Sequence, residues 1–312
     1  MTAQNKSEAI LEELELLEVA GNSFSVKRFL ECSVTPVFFG SALTNFGVEP
    51  FFDAFASLAP PPGKRNAFDS DDNKLVIEPL KDPFSAYVFK IQANMDPNHR
   101  DSMAYLRICS GVFERDMEVI HPRGKKPIRL SRSHTMFAGA RETLDKGFPG
   151  DIIGVVNPGV FSIGDTVSTE GGFSFEPMPK FPPEVVARIR PREALKRKNF
   201  TKGMEQFISE GAVLVLKSPD DSGSYLIAAV GPLQFEVIQH RLKSEYGIES
   251  ELDLLPYTKG AWIEGDSESL SIPSATLLAD DMEGNHIFLY ARSWQKDYVL
   301  ENNPEHSLVD FR

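Results

Sequence analysis

Cysteine is almost missing from this chain: Cys32 and Cys109 are the only two in 312 residues, far apart and in no paired spacing. That excludes a disulfide framework or a cysteine-ligated zinc site and suits free, mostly buried thiols of a reducing compartment. Histidine is nearly as scarce, six in all, with neither HxxxH nor HExxH spacing, and no serine sits in a GxSxG turn. The residue patterns of zinc-dependent and serine hydrolases are therefore both lacking. No apolar stretch reaches the roughly 18 residues needed to span a bilayer, and the residues after Met1 are polar, which predicts a cytoplasmic protein with no membrane partner. Positive charge is short as well. Asp and Glu number 45 against 33 Lys and Arg, a net charge of −12. Such a surface does not coat DNA or RNA by bulk electrostatics, so any RNA contact has to come from local basic patches.

What is present falls into successive segments, and a 41% hydrophobic content over this length supports two or three domains rather than one. Ile10, Leu11, Leu14 and Leu17 recur at helical spacing among glutamates, and a short helix fits Ser25 to Cys32. Thr35 to Phe39 reads as a short buried strand; Phe51, Phe52, Phe55 and Leu58 then mark a helix that Pro60, Pro61 and Pro62 end. One strand with its helices is too little for a domain, so residues 1–65 read as the tail of a larger α/β domain. Gly63 to Asp82 is polar and without periodicity, like a linker. Residues 80–178 alternate in short segments, Phe84 to Ala93, Met103 to Cys109, Met117 to His121, Ile128 to Ser133, Asp151 to Val156 and Thr166 to Ser168, which predicts an antiparallel barrel. Residues 182–312 follow the order strand, helix, strand, strand, helix, strand, the βαββαβ plan of an α+β ferredoxin-like domain, with a C-terminal extension whose last dozen residues look frayed. Its second helix is the best marked, with Pro232 at its start and Gly247 just past its end.

Longer stretches carry a resemblance. PVFFGSALTNFGVEPFFDAFASLAPPP is similar to the end of the GTP-binding domain of translational GTPases, and FKIQANMDPNHRDSMAYLRICSG resembles peptide chain release factor three. GDIIGVVNPGVFSIGDTVS is similar to the closing strands of the barrel domain in this superfamily, and AVGPLQFEVIQHRLKSEYGIESE to the α/β domain that follows. The resemblance implies a multidomain α/β and β chain: the remnant of a P-loop GTPase domain, a translation-factor β-barrel and the ferredoxin-like domain. It also implies ribosome binding with GTP or GDP and Mg in the full-length protein, and promotion of the release of decoding release factors. Other ribosomal GTPases, above all the translocating elongation factor, and a free-standing RNA-binding barrel are the rival readings. The chain has no GxxxxGK[ST] loop and no NKxD, and DxxG at Asp151, Asp220 and Asp281 lacks the flanking elements. The chain alone is thus expected to bind no nucleotide and to be catalytically inactive.

Three places remain as candidate sites, with one loop beside them. Ser41, Ala42 and Leu43 match the family's guanine-side motif, in which a backbone N–H meets the base; they would form one wall of an incomplete pocket. Arg188, Arg190, Arg192, Lys196, Arg197, Lys198 and Lys202 cluster against the single acid Glu193 in an otherwise acidic protein, either for RNA or interdomain contact or as a solvated face. His121, Arg123, Lys125, Lys126, Arg129 and Arg132 form a second basic patch on a barrel hairpin, equally readable as a charged edge that blocks aggregation. The loop from Asn94 to Asp101 is longer than a plain hairpin needs, which points to His99 and Arg100 as contacts to the ribosome or the nucleotide domain. Phe51, Phe52 and Phe55 are expected in a core.

Overall fold

The computed structural model describes residues 3–21, 24–92, 102–120, 127–131, 133–137, 140–178, 181–217, 223–265 and 270–311. It divides into two compact units, Met1–Gly63 and Lys64–Arg312.

The first unit holds helices α1 (Ala3–Ala20), α2 (Val26–Leu30) and α3 (Val48–Leu58). Ser25 caps α2, its hydroxyl accepting from the Arg28 amide at 3.1 Å. Helix α3 ends at Ala59, ahead of the three prolines that cannot continue it. Thr35 to Phe39 does not form the expected strand: the segment is extended, and an isolated bridge between Ser41 and Phe46 follows it. A parallel strand exists only through its ladder partners, and the described residues of this unit supply none. The same lack corrects the expectation for the phenylalanines, since Phe51, Phe52 and Phe55 are exposed, with the Phe51 ring tilted against Phe52 and Phe55 at centroid distances of 5.5 and 6.3 Å. Cys32 is exposed here too, whereas Cys109 in the second unit is buried, and burial pushes its thiol above the ordinary value.

The second unit begins with strands where the sequence suggested a linker. β1 (Arg65–Asp69) and β2 (Lys74–Ile77) form a hairpin. Its turn is closed by Asp69, whose Oδ1 accepts from the amides of Asp71 and Asn73 while Oδ2 accepts from the Asn73 side chain. Side-chain acceptors of this kind stabilise a turn without any apolar periodicity to announce it.

Strands β3 (Ser85–Gln92), β4 (Met103–Ser110), β5 (Phe113–Glu114), β6 (Glu118–Ile120), β7 (Pro127–Arg129), β8 (Ser133–Phe137), β9 (Ala140–Thr143), β10 (Lys146–Gly147), β11 (Ile152–Val156), β12 (Thr166–Ser168) and β13 (Phe173–Phe175) follow. Eight of them make a barrel-like antiparallel sheet in the order β7-β6-β12-β3-β4-β11-β8-β9, and β5 pairs with β10 beside it. One face of that sheet buries Val88, Leu106, Ile153, Val155 and Val167 in a common core. On β3 and β4, Tyr87 and Cys109 pack instead against Ala67 and Phe175 of the three-stranded β13-β1-β2 sheet. Gly111 turns the chain after β4 with φ +65, and a Cβ there would lie 2.5 Å from the Phe84 amide nitrogen. Only glycine fits that combination of left-handed backbone and close approach.

The C-terminal part is built from β14 (Val185–Pro191), α4 (Arg197–Ser209), β15 (Leu214–Lys217), β16 (Tyr225–Ala229), α5 (Pro232–Tyr246) and β17 (Ser250–Leu255), then β18 (Lys259–Glu264), β19 (Leu277–Asp280), β20 (His286–Tyr290), α6 (Ser293–Asn302) and β21 (Ser307–Asp310). The last dozen residues are thus not frayed: β21 pairs with β18 from Ala261↔Asp310 to Glu264↔Ser307. Two antiparallel sheets result, β15-β16-β14-β17 and β19-β20-β18-β21. In each, the first strand lies between the third and the fourth, and a helix links the third to the fourth, so one pairing plan is used twice in succession.

Alternation along the strands sorts side chains into three cores. Ala187, Ile189, Val215 and Ile227 face α4 and α5 and meet Phe200, Phe207, Phe235 and Ile238. Their neighbours Val186, Leu216, Leu226 and Ala228 face Ala279, Ile287 and Leu289 of the second sheet. Beyond it, Ala261, Ile263 and Phe288 pack on Val299 of α6, with Leu270 and Ile272 of the β18–β19 connection alongside. Period-two alternation with both faces covered requires apolar residues on both faces, which is what makes these strands read as near-continuous hydrophobic runs. Each fully buried phenylalanine in the first of these cores contributes about 2 to 3 kcal/mol of transfer free energy.

Candidate functional site

Ser41 and Ala42 line a pocket of 410 Å³ in the first unit, walled by Pro36, Phe38, Val48 and Phe51. Gly47, left-handed at φ +70, carries the chain into α3 there, and a Cβ on it would lie 2.4 Å from the Phe39 carbonyl oxygen. The Ser41 amide is already used, donating to the Phe46 carbonyl at 2.9 Å. Leu43 is 95% exposed and points outward. The pocket can cover an apolar ring and offers one hydroxyl. Its lining residues include no cation and no phosphate-cradling loop, so the residues present do not fit a nucleotide triphosphate or its magnesium.

The basic cluster on β14 looks different once its neighbours in space are counted. β14 pairs antiparallel with β17, which sets Arg190 opposite Glu251 and Arg188 opposite Asp253. The Arg190 guanidinium lies 3.0 Å from Glu251 and 3.8 Å from Asp253. Arg192 reaches Glu249 at 3.4 Å and Glu251 at 3.9 Å. Lys196 pairs with Glu193 at 3.0 Å and also donates to the Gly247 carbonyl. Sequence reading set seven cations against one acid; the fold adds Glu249, Glu251 and Asp253. Opposite charges directly across a strand pair stabilise it modestly, and exposed pairs of this kind are worth little each.

Arg197 and Lys198 differ from the rest. They open α4 exposed, and the N-cap residue Lys196 makes no side-chain cap hydrogen bond. The first turn holds no acid. Cations at the positive end of a helix are electrostatically unfavourable, so this end attracts an external anion. The Arg197 guanidinium lies against Gly223, where a Cβ would stand 2.3 Å from its Cζ.

The residues that sequence reading missed lie just beyond Arg192. Lys243 of α5 places its Nζ 3.0 Å from Glu249, so one carboxylate bridges Arg192 and Lys243. The hydrogen bond and charge of Lys243, then the charges of Arg192 and Lys196, hold the Glu249 carboxyl below the ordinary glutamate value. Around this pair, Gln239, His240, Ile248 and Ser250 complete a pocket of 310 Å³. The Ser250 hydroxyl is buried without a hydrogen-bond partner among the described residues. The signal for this grouping was the strand order itself, since a βαββαβ unit that pairs its first and fourth strands must bring residues 249–253 beside residues 188–192. His99, Arg100, His121, Arg123, Lys125, Lys126 and Arg132 lie outside the described residues.

Two family models match in series. Residues 83–170 match elongation factor G domain 2, and residues 175–300 match the class II release factor RF3 C-terminal domain. The chain is 46% identical over 300 residues to peptide chain release factor 3 of Gloeobacter violaceus, covering 95% of this chain and 56% of that protein. Against peptide chain release factor 3 of Symbiobacterium thermophilum it is 44% identical over 302 residues, with the same 95% and 56% coverage. The chain therefore spans little more than half the length of these curated relatives. A crystal structure of a Thermus thermophilus protein superposes with a TM-score of 0.55 at 20% identity, covering 89% of this chain and 42% of that one, a likeness of fold. By these matches the chain is similar over nearly its whole length to part of peptide chain release factor 3, with a segment like elongation factor G domain 2 followed by one like the class II release factor C-terminal domain.

Proposed function

We propose that this chain is the ribosome-binding part of a translation-termination GTPase whose complete form promotes GTP-dependent release of the decoding release factors from the ribosome, in the cytoplasm. The serial match of a translation-factor second domain and a release-factor C-terminal domain carries this reading. It also favours a release factor over a translocating elongation factor, because the domain after the barrel matches the former. Three domains near 1–65, 80–178 and 182–312 fit it, and the strand order β15-β16-β14-β17 with α4 and α5 on one face supports reading the first half of the last one as ferredoxin-like. The ribosome is the direct partner and the decoding release factors are reached through it; DNA and membranes are not partners. Among the described residues, no helix is long and apolar enough to cross a membrane.

GTP or GDP with Mg belongs to the full-length activity. In this chain the Ser41–Ala42 turn supplies a base-facing wall only, and no step of phosphoryl transfer is assigned to its residues, since that chemistry needs positioned phosphates and their countercharges. The exposed Arg197 and Lys198 are the ribosome-facing cations, because no acid of the first turn of α4 engages them. The test is co-sedimentation of the chain with ribosomes across a salt series. Reversing both to glutamate should weaken association and lower the slope of log affinity against log salt by about two, one per lost phosphate contact. Unchanged binding and slope would sink the assignment of these two residues, and absence of binding by the unaltered chain would sink the reading itself.

A further inference from the structure

The Arg192–Glu249–Lys243 bridge sits in the 310 Å³ pocket between the C-terminal half of α5 and the start of β17. Four features of this pocket point the same way. Two cations converge on one carboxylate from different elements, Arg192 just past β14 and Lys243 on α5, at 3.4 and 3.0 Å. Lys196, which holds the Gly247 carbonyl at 3.1 Å, adds positive charge near Glu249 without lining the pocket itself. The buried Ser250 hydroxyl has no partner among the described residues, which costs free energy unless something accepts from it or donates to it. Beside it, the Gln239 side chain is committed to the Ser250 carbonyl at 3.2 Å, which leaves the hydroxyl as the pocket's uncommitted polar group on β17.

We infer that this pocket binds a phosphate group of an RNA backbone, with Arg192 and Lys243 as its paired donors and Glu249 as an internal stand-in anion that leaves when the phosphate arrives. On the reading above, that RNA is ribosomal. A carboxylate held between a guanidinium and an ammonium occupies the position where a tetrahedral oxyanion would be bound by the same two groups. The exchange is nearly balanced because Glu249 is half-exposed and can turn to solvent, where an exposed pair gives up little. Phosphate gains over carboxylate from its further oxygens, each able to accept a charge-assisted hydrogen bond. An acidic protein side chain is the rival occupant, but it would bring one carboxylate to replace another and gain no such extra contacts.

The opposite signs of two substitutions separate this from a merely structural ion pair. Fluorescence anisotropy of a labelled 20-nucleotide RNA duplex and of a labelled oligoglutamate peptide should be measured with the full chain, K243Q and E249Q, alongside ribosome co-sedimentation. K243Q should weaken RNA binding and lower its salt slope by about one. E249Q should tighten RNA binding by about threefold, the scale of removing one exposed competing pair. A structural pair would instead give weaker binding, or none of either change, in both variants, and that result overturns the phosphate site. Peptide binding with this variant pattern and no RNA binding would assign the pocket to an acidic protein and overturn it equally. Opposite shifts on RNA in a chain that does not sediment with ribosomes would keep the phosphate site and remove the ribosomal reading, whereas sedimentation insensitive to both variants, with unshifted RNA affinity, would do the reverse. Urea unfolding of both variants checks that they remain folded.

Discussion

Arg241 of α5 and Glu210, just past the end of α4, form the ion pair that ties the two helices together: Nη1 lies 2.6 Å from the carboxylate, whose side chain is only 5% exposed. The guanidinium also pairs with Glu245 and lies over the Phe207 ring, 4.7 Å from its centroid. Glu210→Ala should therefore destabilise the chain by about 2 kcal/mol, less than for a fully buried pair because Arg241 keeps Glu245 and some water. Urea unfolding of the single and double substitutions gives the coupling, and a coupling near zero would show that the packing on Phe207 carries the contact instead.

Gln234 and Gln295 take the same position in α5 and α6, and each side-chain oxygen accepts from the two amides that precede its helix. Gln295 also donates to the carbonyls of Ser274 and Ala275 and is 3% exposed. Replacement of Gln295 by alanine leaves buried groups unpaired and should cost about 2 kcal/mol, against about 0.5 kcal/mol for the exposed Gln234. Equal losses in chemical unfolding would contradict the role given to burial.

Gly111→Ala should cost about 3 kcal/mol, since the added methyl meets the Pro83–Phe84 backbone at 2.5 to 2.7 Å and φ is positive. Gly172, at φ +79 with nothing within 4 Å, is the control. Its alanine variant carries backbone strain alone and should lose only about 1 kcal/mol. Thermal melts of the two variants should be well separated.

Glu78 is held by Lys64 and Lys81 at 2.6 and 2.7 Å, which lowers its carboxyl from 4.5 to about 2, Lys64 contributing most. A depressed folded-state value stabilises the fold above the unfolded value, and that contribution is lost as pH falls from about 4.5 toward about 2. The stability difference between the unaltered chain and Glu78→Gln should shrink across that window. A difference that stays constant down to pH 2 would show that the carboxylate is not engaged in solution.

Much of the second unit was legible because its signals are local. Helix α5 is bounded by Pro232 and Gly247, residues whose backbone restrictions mark helix ends wherever they occur, and β12 follows from Thr166-Val167-Ser168 between turn residues. The β1–β2 hairpin was not legible, because its turn depends on the Asp69 carboxylate and its burial on Ala67, a small residue with little weight in any hydrophobic pattern. The charge balance of the β14 cluster was misjudged for another reason. Its acids lie some sixty residues away in sequence, at Glu249 and Glu251 beside Arg192 and Arg190, and enter only through strand pairing. The three phenylalanines of α3 carried a clear helical stripe, but a stripe tells which side is apolar and not whether anything covers it.

Residues 182–311 present helices on one outer face, a helix on the other, and two sheets between them whose facing side chains, Val186, Leu226 and Ala228 against Ala279, Ile287 and Leu289, share one apolar seam. Close-packed interiors resist compression and shear, so bending where the two sheets meet would have to break this packing. Mechanically it is a slab. A load taken up at the start of α4 is opposed by the same packed seam that joins the two sheets.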